Sequence, residues 1–281
     1  MTSSPTLTFN DGNTIPQLGY GVWQVEDDVA EKVVFQAFQA GFRHIDTAKI
    51  YGNESGVGRA IASSGLTAEE IFITTKLWNA DQGYESTLAA FEESLERLGL
   101  ETLDLYLIHW LQPKQDKYVD TWKALIELQK RGRVKSIGVS NFTIEGLQRI
   151  INETGVVPAI NQVELHPYFS QLELREFNAS QGILTQAWSP LGQGGELLED
   201  PIIAGIAQKH DATPAQVVIA WHLAIGNVVI PKSVTESRIR ENFDALNITL
   251  DAEDVEAING LDRTAEGTGR IGPDPAVSDF A

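Results

Sequence analysis

Asp46, Tyr51, Lys76 and His109 supply an anion, a phenolic proton donor, a cation and an imidazole, which is a kit for protonating a carbonyl oxygen. Each lies at or just beyond the C-terminal end of a stretch that reads as a buried strand: residues 44–48 with Tyr51 close behind, 71–76, and 103–109. In a parallel α/β barrel the strand C-termini open into one mouth, so residues far apart in sequence can meet there. Asp46 and Lys76 can pair. A lysine ammonium beside Tyr51 would lower the phenol's pKa towards the range of a general acid. His109 could hydrogen-bond the same carbonyl oxygen and stabilise its developing negative charge. Taken singly, Asp46 reads as a cap, Lys76 as a solvated strand end, His109 as a core histidine and Tyr51 as a loop tyrosine. Their placement on successive strand ends is what points to chemistry.

The elements that must position these groups follow from apolar patterning. Leu7-Thr8-Phe9, the turn Asn10-Asp11-Gly12-Asn13 and Thr14-Ile15-Pro16 read as a hairpin. After it, short apolar runs at 18–23, 44–48, 71–76, 103–109, 136–140, 159–162, 184–188 and 228–231 predict strands. Helical stretches lie between them, among others at 29–40, 86–98, 119–131, 144–153, 171–181, 214–226 and 236–246. Leu88, Phe91, Leu95 and Leu98 form a 3.6-residue stripe, and Pro214 behind Thr213 is an N1 proline after an N-cap. The alternation predicts a single (β/α)8 TIM barrel with an N-terminal β-hairpin, in which 201–210 and 252–261 are two extra helices. No linker divides the chain, so 1–281 reads as one domain, with 262–281 an aperiodic loop or tail.

The remaining strand ends are polar where a buried strand should simply stop. Ser140, Asn141 and Gln162 offer donors and acceptors suited to a carboxamide. Trp188, followed by Ser189, offers a flat face for an aromatic ring. Lys232, Ser233 and Arg238 form a basic cluster suited to a phosphate monoester, although a solvated helix start would look the same. In that order around the rim they describe a nicotinamide dinucleotide phosphate lying across the mouth. Trp23, Trp78 and Trp110 follow or end early strands and read as a substrate wall, with core packing as the alternative. Such a wall accepts small carbonyl compounds and discriminates poorly among them.

Composition limits the alternatives. The 281 residues are 42% hydrophobic and 21% charged, which is ordinary for a globular protein. A formal charge of -18, from 21 basic and 39 acidic residues, argues against nucleic-acid or anionic-membrane partners and for a self-repelling monomer or small oligomer. The absence of cysteine removes disulfides, thiolate catalysis and zinc-thiolate sites, and the five histidines show no metal-ligand spacing. The first ten residues lack the pattern of a signal peptide and no apolar run would span a bilayer, so the expectation is a cytoplasmic protein.

These residues together resemble the aldo-keto reductase superfamily, and more closely the branch containing 2,5-diketo-D-gluconate reductases. The resemblance runs through Asn10-Asp11-Gly12, Gly19-Tyr20-Gly21, His44-Ile45-Asp46-Thr47-Ala48, Tyr51-Gly52-Asn53-Glu54 and Lys76-Leu77-Trp78. It continues through Asp104 to Trp110, Ile137-Gly138-Val139-Ser140-Asn141-Phe142, Asn161-Gln162, Glu164-Leu165-His166-Pro167, Pro190-Leu191-Gly192 and Ile230-Pro231-Lys232-Ser233. It implies NADPH bound without a Rossmann fold, a monomer, Tyr51 as general acid, His109 as carbonyl orienter, and Asp46 with Lys76 as the pair tuning Tyr51. It assigns Ser140, Asn141, Gln162, Trp188, Ser189 and Leu191 to the nicotinamide end, Lys232, Ser233 and Arg238 to the 2′-phosphate, and Glu241 and Asn242 to the adenine. The implied activity is reduction of aldehydes or ketones, with 2,5-diketo-D-gluconate or methylglyoxal as substrates.

Some positions depart from that pattern. Leu111 stands where relatives carry proline, Lys49 where they carry a neutral residue, and Thr235 where some carry arginine. The short tail after Leu261 leaves fewer residues to shape the substrate pocket. Gly267-Thr268-Gly269-Arg270-Ile271-Gly272 matches a dinucleotide fingerprint but has neither the preceding strand nor the following helix that the fingerprint needs. His166 reads as a structural turn residue. Two rival readings stand beside the reductase: another enzyme on the same barrel, such as a hydrolase or isomerase, and an NADPH-binding regulatory module with little turnover.

Overall fold

An antiparallel hairpin, β1 (Thr6–Thr8) and β2 (Thr14–Pro16), pairs Thr6 with Pro16 and Thr8 with Thr14 in the computed structural model, which describes residues 3–280. The other strands are β3 (Tyr20–Gly21), β4 (His44–Asp46), β5 (Phe72–Leu77), β6 (Leu103–Ile108), β7 (Val134–Ser140), β8 (Ile160–Glu164), β9 (Leu184–Trp188) and β10 (Val228–Val229). They form one 8-stranded parallel sheet in strict chain order. β5 and β6 are buried at every residue, as parallel strands must be when helices cover one face and a packed interior the other. The sheet curls until its outer strands meet. Leu18 bridges Val229, Gly19 N–H donates to Val229 O (2.9 Å) and Gly21 N–H to Pro231 O (3.2 Å).

The helices are α1 (Asp27–Ala40), α2 (Glu54–Ser63), α3 (Tyr84–Leu98), α4 (Tyr118–Lys130), α5 (Ile144–Thr154), α6 (Leu172–Ser180), α7 (Pro201–Lys209), α8 (Pro214–Ala224), α9 (Glu236–Asp244) and α10 (Ala252–Asn259). Local chemistry sets several of their ends. Thr213 and Gln216 form a reciprocal capping box ahead of Pro214 in α8, and Thr143 caps α5 through Gly146 N–H. α2 is the helix that sequence patterning does not single out, because its glycines oppose helix formation by about 1 kcal/mol each. Gly56 is there for packing: a Cβ on it would sit 2.3 Å from Asp27 O on α1.

The hairpin plugs the N-terminal ends of the strands. Phe9 and Ile15 are buried in a cluster with Phe72, Leu105, Ile160 and Val228. The Asn13 amide ties the turn to Lys135 O (3.2 Å) and Ser136 Oγ (3.1 Å). The strand C-termini form the opposite end.

The sequence reading is corrected in several places. The strand expected at 18–23 shrinks to Tyr20–Gly21, and those at 44–48 and 228–231 stop at Asp46 and Val229. The chain leaves the ladder there to carry loops across the mouth. The helix expected from 171 starts at Leu172, because Gln171 adopts a left-handed φ of 53°. Within the tail, residues 262–280 are loop and turn apart from a short 3₁₀ helix at Thr264–Glu266, and residue 281 lies outside the described residues. The tail does not stand clear of the pocket: it crosses the strand C-termini, burying Ser278 and half-burying Phe280.

Candidate active site

Adjacent strands deliver the ionisable groups to one point. Asp46 ends β4, Lys76 lies on β5, His109 follows β6, and Tyr51 sits on a 3₁₀ turn (Lys49–Tyr51) just past β4. Register makes the meeting unavoidable, because Asp46 pairs with Thr74 and Lys76 with Leu107 across the β4–β5–β6 ladder. Lys76 Nζ donates to Asp46 Oδ1 (2.5 Å), Thr47 O (2.9 Å) and Tyr51 Oη (3.4 Å). The second carboxylate oxygen, Asp46 Oδ2, accepts from Gln162 Nε2 at 2.7 Å. The His109 ring meets the Tyr51 ring edge-on at 5.6 Å, so the four side chains form one connected cluster.

Burial decides the protonation states. Removal from water raises the Asp46 carboxyl above its usual value, against the pull of Lys76 and Gln162. Burial alone would push Lys76 down, but Asp46 and the Tyr51 hydroxyl reverse this and hold the ammonium above its ordinary value. Tyr51 corrects the sequence expectation. Burial raises the phenol, and Lys76, shared with Asp46, does not bring it back, so the net shift is upward. His109 is driven well below its ordinary value by burial and then by Lys76. The site therefore presents a protonated phenol and a neutral imidazole, and both can donate a hydrogen bond to an oxygen.

Ser140, Asn141 and Gln162 also converge. Ser140 Oγ donates to Gln162 O (2.9 Å), and Asn141 Nδ2 donates to His109 O (3.0 Å) and Ser140 Oγ (3.1 Å). Trp188 joins them, its indole N–H donating to Asn141 Oδ1 at 2.8 Å. Asn141 and Ser189 leave β7 and β9 with φ of 57° and 48°, sharp left-handed exits that turn the backbone back over the mouth. Leu191 is partly buried against the core. Gln162 gives its Nε2 to Asp46, and its Oε1 accepts no hydrogen bond among the described residues.

The basic cluster is built differently. Lys232 and Arg238 are exposed, and among the described residues neither has a hydrogen-bonding or ion-pair partner. The loop beneath them is fixed, because the Tyr20 hydroxyl donates to Ser233 O and Ser233 Oγ accepts from Thr235 N–H (3.1 Å). On α9, Glu241 accepts from Thr213 Oγ1 (2.8 Å) and Asn242 is buried.

The tryptophans divide. Trp78 stacks edge-on against His109 at 5.2 Å, and Trp78 and Trp110 both face Phe280, at 6.0 and 4.9 Å. Trp23 is 45% exposed and has no ring partner, so the structure does not bring it into that cluster. Sequence reading missed Phe280, since a lone aromatic in an aperiodic tail carries no positional signal. It also passed over Glu164, whose buried carboxylate accepts from Ile271 N–H (2.5 Å), Gly272 N–H (2.7 Å) and His166 Nε2 (3.1 Å). His166 is thus a structural residue, and the fingerprint-like glycine segment wraps the protein's own carboxylate. Lys49 pairs with Asp81 (2.9 Å) and Glu93 (3.1 Å), so it is neither freely solvated nor directed at the mouth. Leu111 is buried against Gly146 of α5.

This arrangement can hold a carbonyl oxygen between Tyr51 and His109 under an aromatic wall, with amide-binding groups on one side and free cations on the other. Known proteins carry the same plan. The sequence profile of the Aldo/keto reductase family matches residues 16–263. An aldo-keto reductase of Mycolicibacterium smegmatis is 56% identical over 278 residues, 99% of each chain. Methylglyoxal reductase DkgA of Escherichia coli (strain K12) is 49% identical over 276 residues, 98% of each chain. Among solved structures, a Gox0644 point mutant in complex with NADPH superimposes with a TM-score of 0.94 at 52% identity, covering 99% of this chain and 100% of the other.

Proposed function

The chain belongs to the aldo/keto reductase family, and from that premise we propose how its residues divide the work of reducing an aldehyde or ketone to an alcohol with NADPH. Tyr51 gives its proton to the carbonyl oxygen, and the phenolate left behind lies 3.4 Å from the Lys76 ammonium. Asp46 keeps Lys76 charged and in place. Neutral His109 donates to the same oxygen and fixes its direction. Bound NADPH supplies the hydride. The observation that carries this reading is the Asp46–Lys76–Tyr51 chain of hydrogen bonds, which feeds a buried positive charge to a single phenol.

The residues present fit that cofactor. Gln162 Oε1 is an acceptor available to a carboxamide N–H, and with Ser140 and Asn141 it would hold the nicotinamide end. Trp188, with Ser189 and Leu191, forms the face beneath the ring. Lys232, Ser233 and Arg238 suit a phosphate, since two cations without partners are what a dianion can recruit. Glu241 and Asn242 would hold the adenine, Trp78 and Trp110 form the substrate wall, and Trp23, outside their cluster, would meet the substrate only from the exposed rim. Hydrogen bonds from Gly19 and Gly21 to the last strand support a closed (β/α)8 barrel, with α7 and α10 as its two extra helices. A shared core supports one domain over 1–281. Small dicarbonyls such as methylglyoxal, and 2,5-diketo-D-gluconate, are the proposed substrates. The charge of -18 supports a monomer that binds neither nucleic acid nor anionic membrane. No helix among the described residues is long and apolar enough to cross a bilayer, and we assign the protein to the cytoplasm.

The test is NADPH oxidation with methylglyoxal and 2,5-diketo-D-gluconate, run beside Tyr51→Phe. Loss of a proton-transfer group should lower turnover by roughly 10²–10⁴-fold while NADPH affinity is kept. Turnover close to that of the parent in Tyr51→Phe sinks the mechanism. Tight NADPH binding without oxidation by any carbonyl would move the assignment to a regulatory module.

A further inference from the structure

Glu164 is a charged group that the chemistry above does not use, although it stands two residues beyond Gln162 on β8 and is 2% exposed. A buried carboxylate without partners is costly. This one has donors from its own turn (His166) and from a segment more than a hundred residues away: Ile271 N–H at 2.5 Å and Gly272 N–H at 2.7 Å. Consecutive backbone N–H groups aimed at one anion form a nest. Here the nest lies on the tail and the anion on the sheet, so the bonds draw the tail inwards.

We propose that Glu164 is a positioning residue that clamps the C-terminal tail across the mouth and, through Phe280, sets how tightly the carbonyl substrate is held; the proposal rests on the carbonyl-reductase reading of that mouth.

The path of the tail supports this. A Cβ at Gly272 would lie 2.5 Å from Trp188 Cη2 and 2.9 Å from Glu164 Oε2, so the backbone crosses in direct contact with the strand ends. Upstream, Asp262 accepts from Ser170 N–H (2.8 Å) and Arg263 lies 3.5 Å over the Tyr168 ring. Downstream, Asn79 Nδ2 donates to Phe280 O (2.9 Å), and the Phe280 ring closes on Trp78 and Trp110. Trp78 in turn abuts His109, so Phe280 is one ring removed from the group that orients the oxygen. Among the described residues the tail makes two ion pairs, Arg263–Glu196 with side chains 32% and 73% exposed and Lys114–Asp279 with side chains 66% and 42% exposed. Exposed pairs of that kind hold little. Glu164 is the buried, charge-assisted fixture at the middle of the strap.

The test uses the full chain with Glu164→Gln, Phe280→Ala, their double variant, and Ile271→Pro, which deletes one tail donor and leaves the barrel untouched. Amide exchange on the cofactor-free protein reads the clamp without any turnover. Exchange across 268–280 should speed up about tenfold or more in Glu164→Gln and Ile271→Pro, the equivalent of about 1.4 kcal/mol, while strand amides stay protected. With phenylglyoxal as a bulky probe, KM should rise about tenfold in each single variant with kcat within about threefold, and the double variant should be no worse than the poorer single, since both act on one wall. Unchanged tail exchange overturns the clamp. Faster exchange with unchanged KM, or additive effects in the double variant, overturns its link to the substrate. If the parent oxidises no NADPH, the carbonyl reading fails, and exchange still judges the clamp by itself. Should Glu164→Gln fail to fold, Ile271→Pro carries the same test.

Discussion

The two sides of the mouth are built on opposite principles. On the β4–β6 side, hydrogen bonds join Asp46, Lys76 and Tyr51 in a network already formed in the free protein, and the His109 ring packs edge-on against Tyr51 with its Nδ1 unpartnered among the described residues. On the β10–α9 side, Lys232 and Arg238 stand in solvent without partners, over a loop that Tyr20 and Ser233 hold still. Proton transfer needs groups fixed to within fractions of an ångström and removed from water, where charge acts strongly. Capturing a phosphate needs reachable cations that pay little desolvation before the anion arrives. One side is preorganised and the other recruited.

The sharpest way to break that contrast is to open the buried pair. Lys76→Met leaves the Asp46 carboxylate buried without its ion-pair partner, which should cost about 3–5 kcal/mol of stability. Denaturant unfolding measures it, and Asp46→Asn in the same chain should recover a large part. A near-neutral Lys76→Met would mean the network is no more fixed than the rim. On the recruited side, Lys232→Ala and Arg238→Ala should each weaken NADPH binding by about tenfold, leave NADH binding and the melting temperature unchanged, and lose their effect at high salt. A drop in melting temperature would show those cations to be structural.

A further test concerns the buried interior, where the effect appears only under acid conditions. Burial pushes both His44 and His222 down to about 3, well under the ordinary 6.5. The unfolded chain therefore binds protons that the folded one refuses, and stability rises with pH between about 3 and 6.5 and is flat above. Each histidine contributes a slope of about 1.4 kcal/mol per pH unit within that window. Unfolding titrations between pH 6 and 4 should show the slope fall by that amount in His44→Gln; an unchanged slope would mean that His44 titrates normally.

The same contrast explains what could be read from sequence. The preorganised groups sit at the ends of apolar strand runs, and a polar residue ending a buried strand stands out against its neighbours. The pairing of Asp46 with Lys76 followed from strand order alone. The direction of the Tyr51 shift did not, because it depends on how far burial outweighs a shared ammonium. The (β/α)8 alternation called for a helix where α2 lies, but its bounds were not legible, because a glycine such as Gly56 serves a close approach to α1 that exists only in three dimensions. The tail was legible as a loop, but nothing aperiodic announces that Gly272 must touch Trp188 or that Phe280 completes an aromatic wall. Glu164 lay inside a recognisable motif, yet its partners are distant backbone N–H groups, which have no letter in a sequence.

The strict chain order of the parallel sheet has a consequence for how such a protein can change. Every proton-handling side chain falls between His44 and His109, on neighbouring strands, whereas the amide-binding ends, the cations and the tail all come after Val134. A crossover in the segment joining β6 to β7 would exchange the amide-binding ends, the cations and the tail together, and would keep the four proton-handling side chains, with Trp78, in one piece. Lineages of this fold could therefore diversify by recombining halves, with the chemistry inherited as one uninterrupted piece.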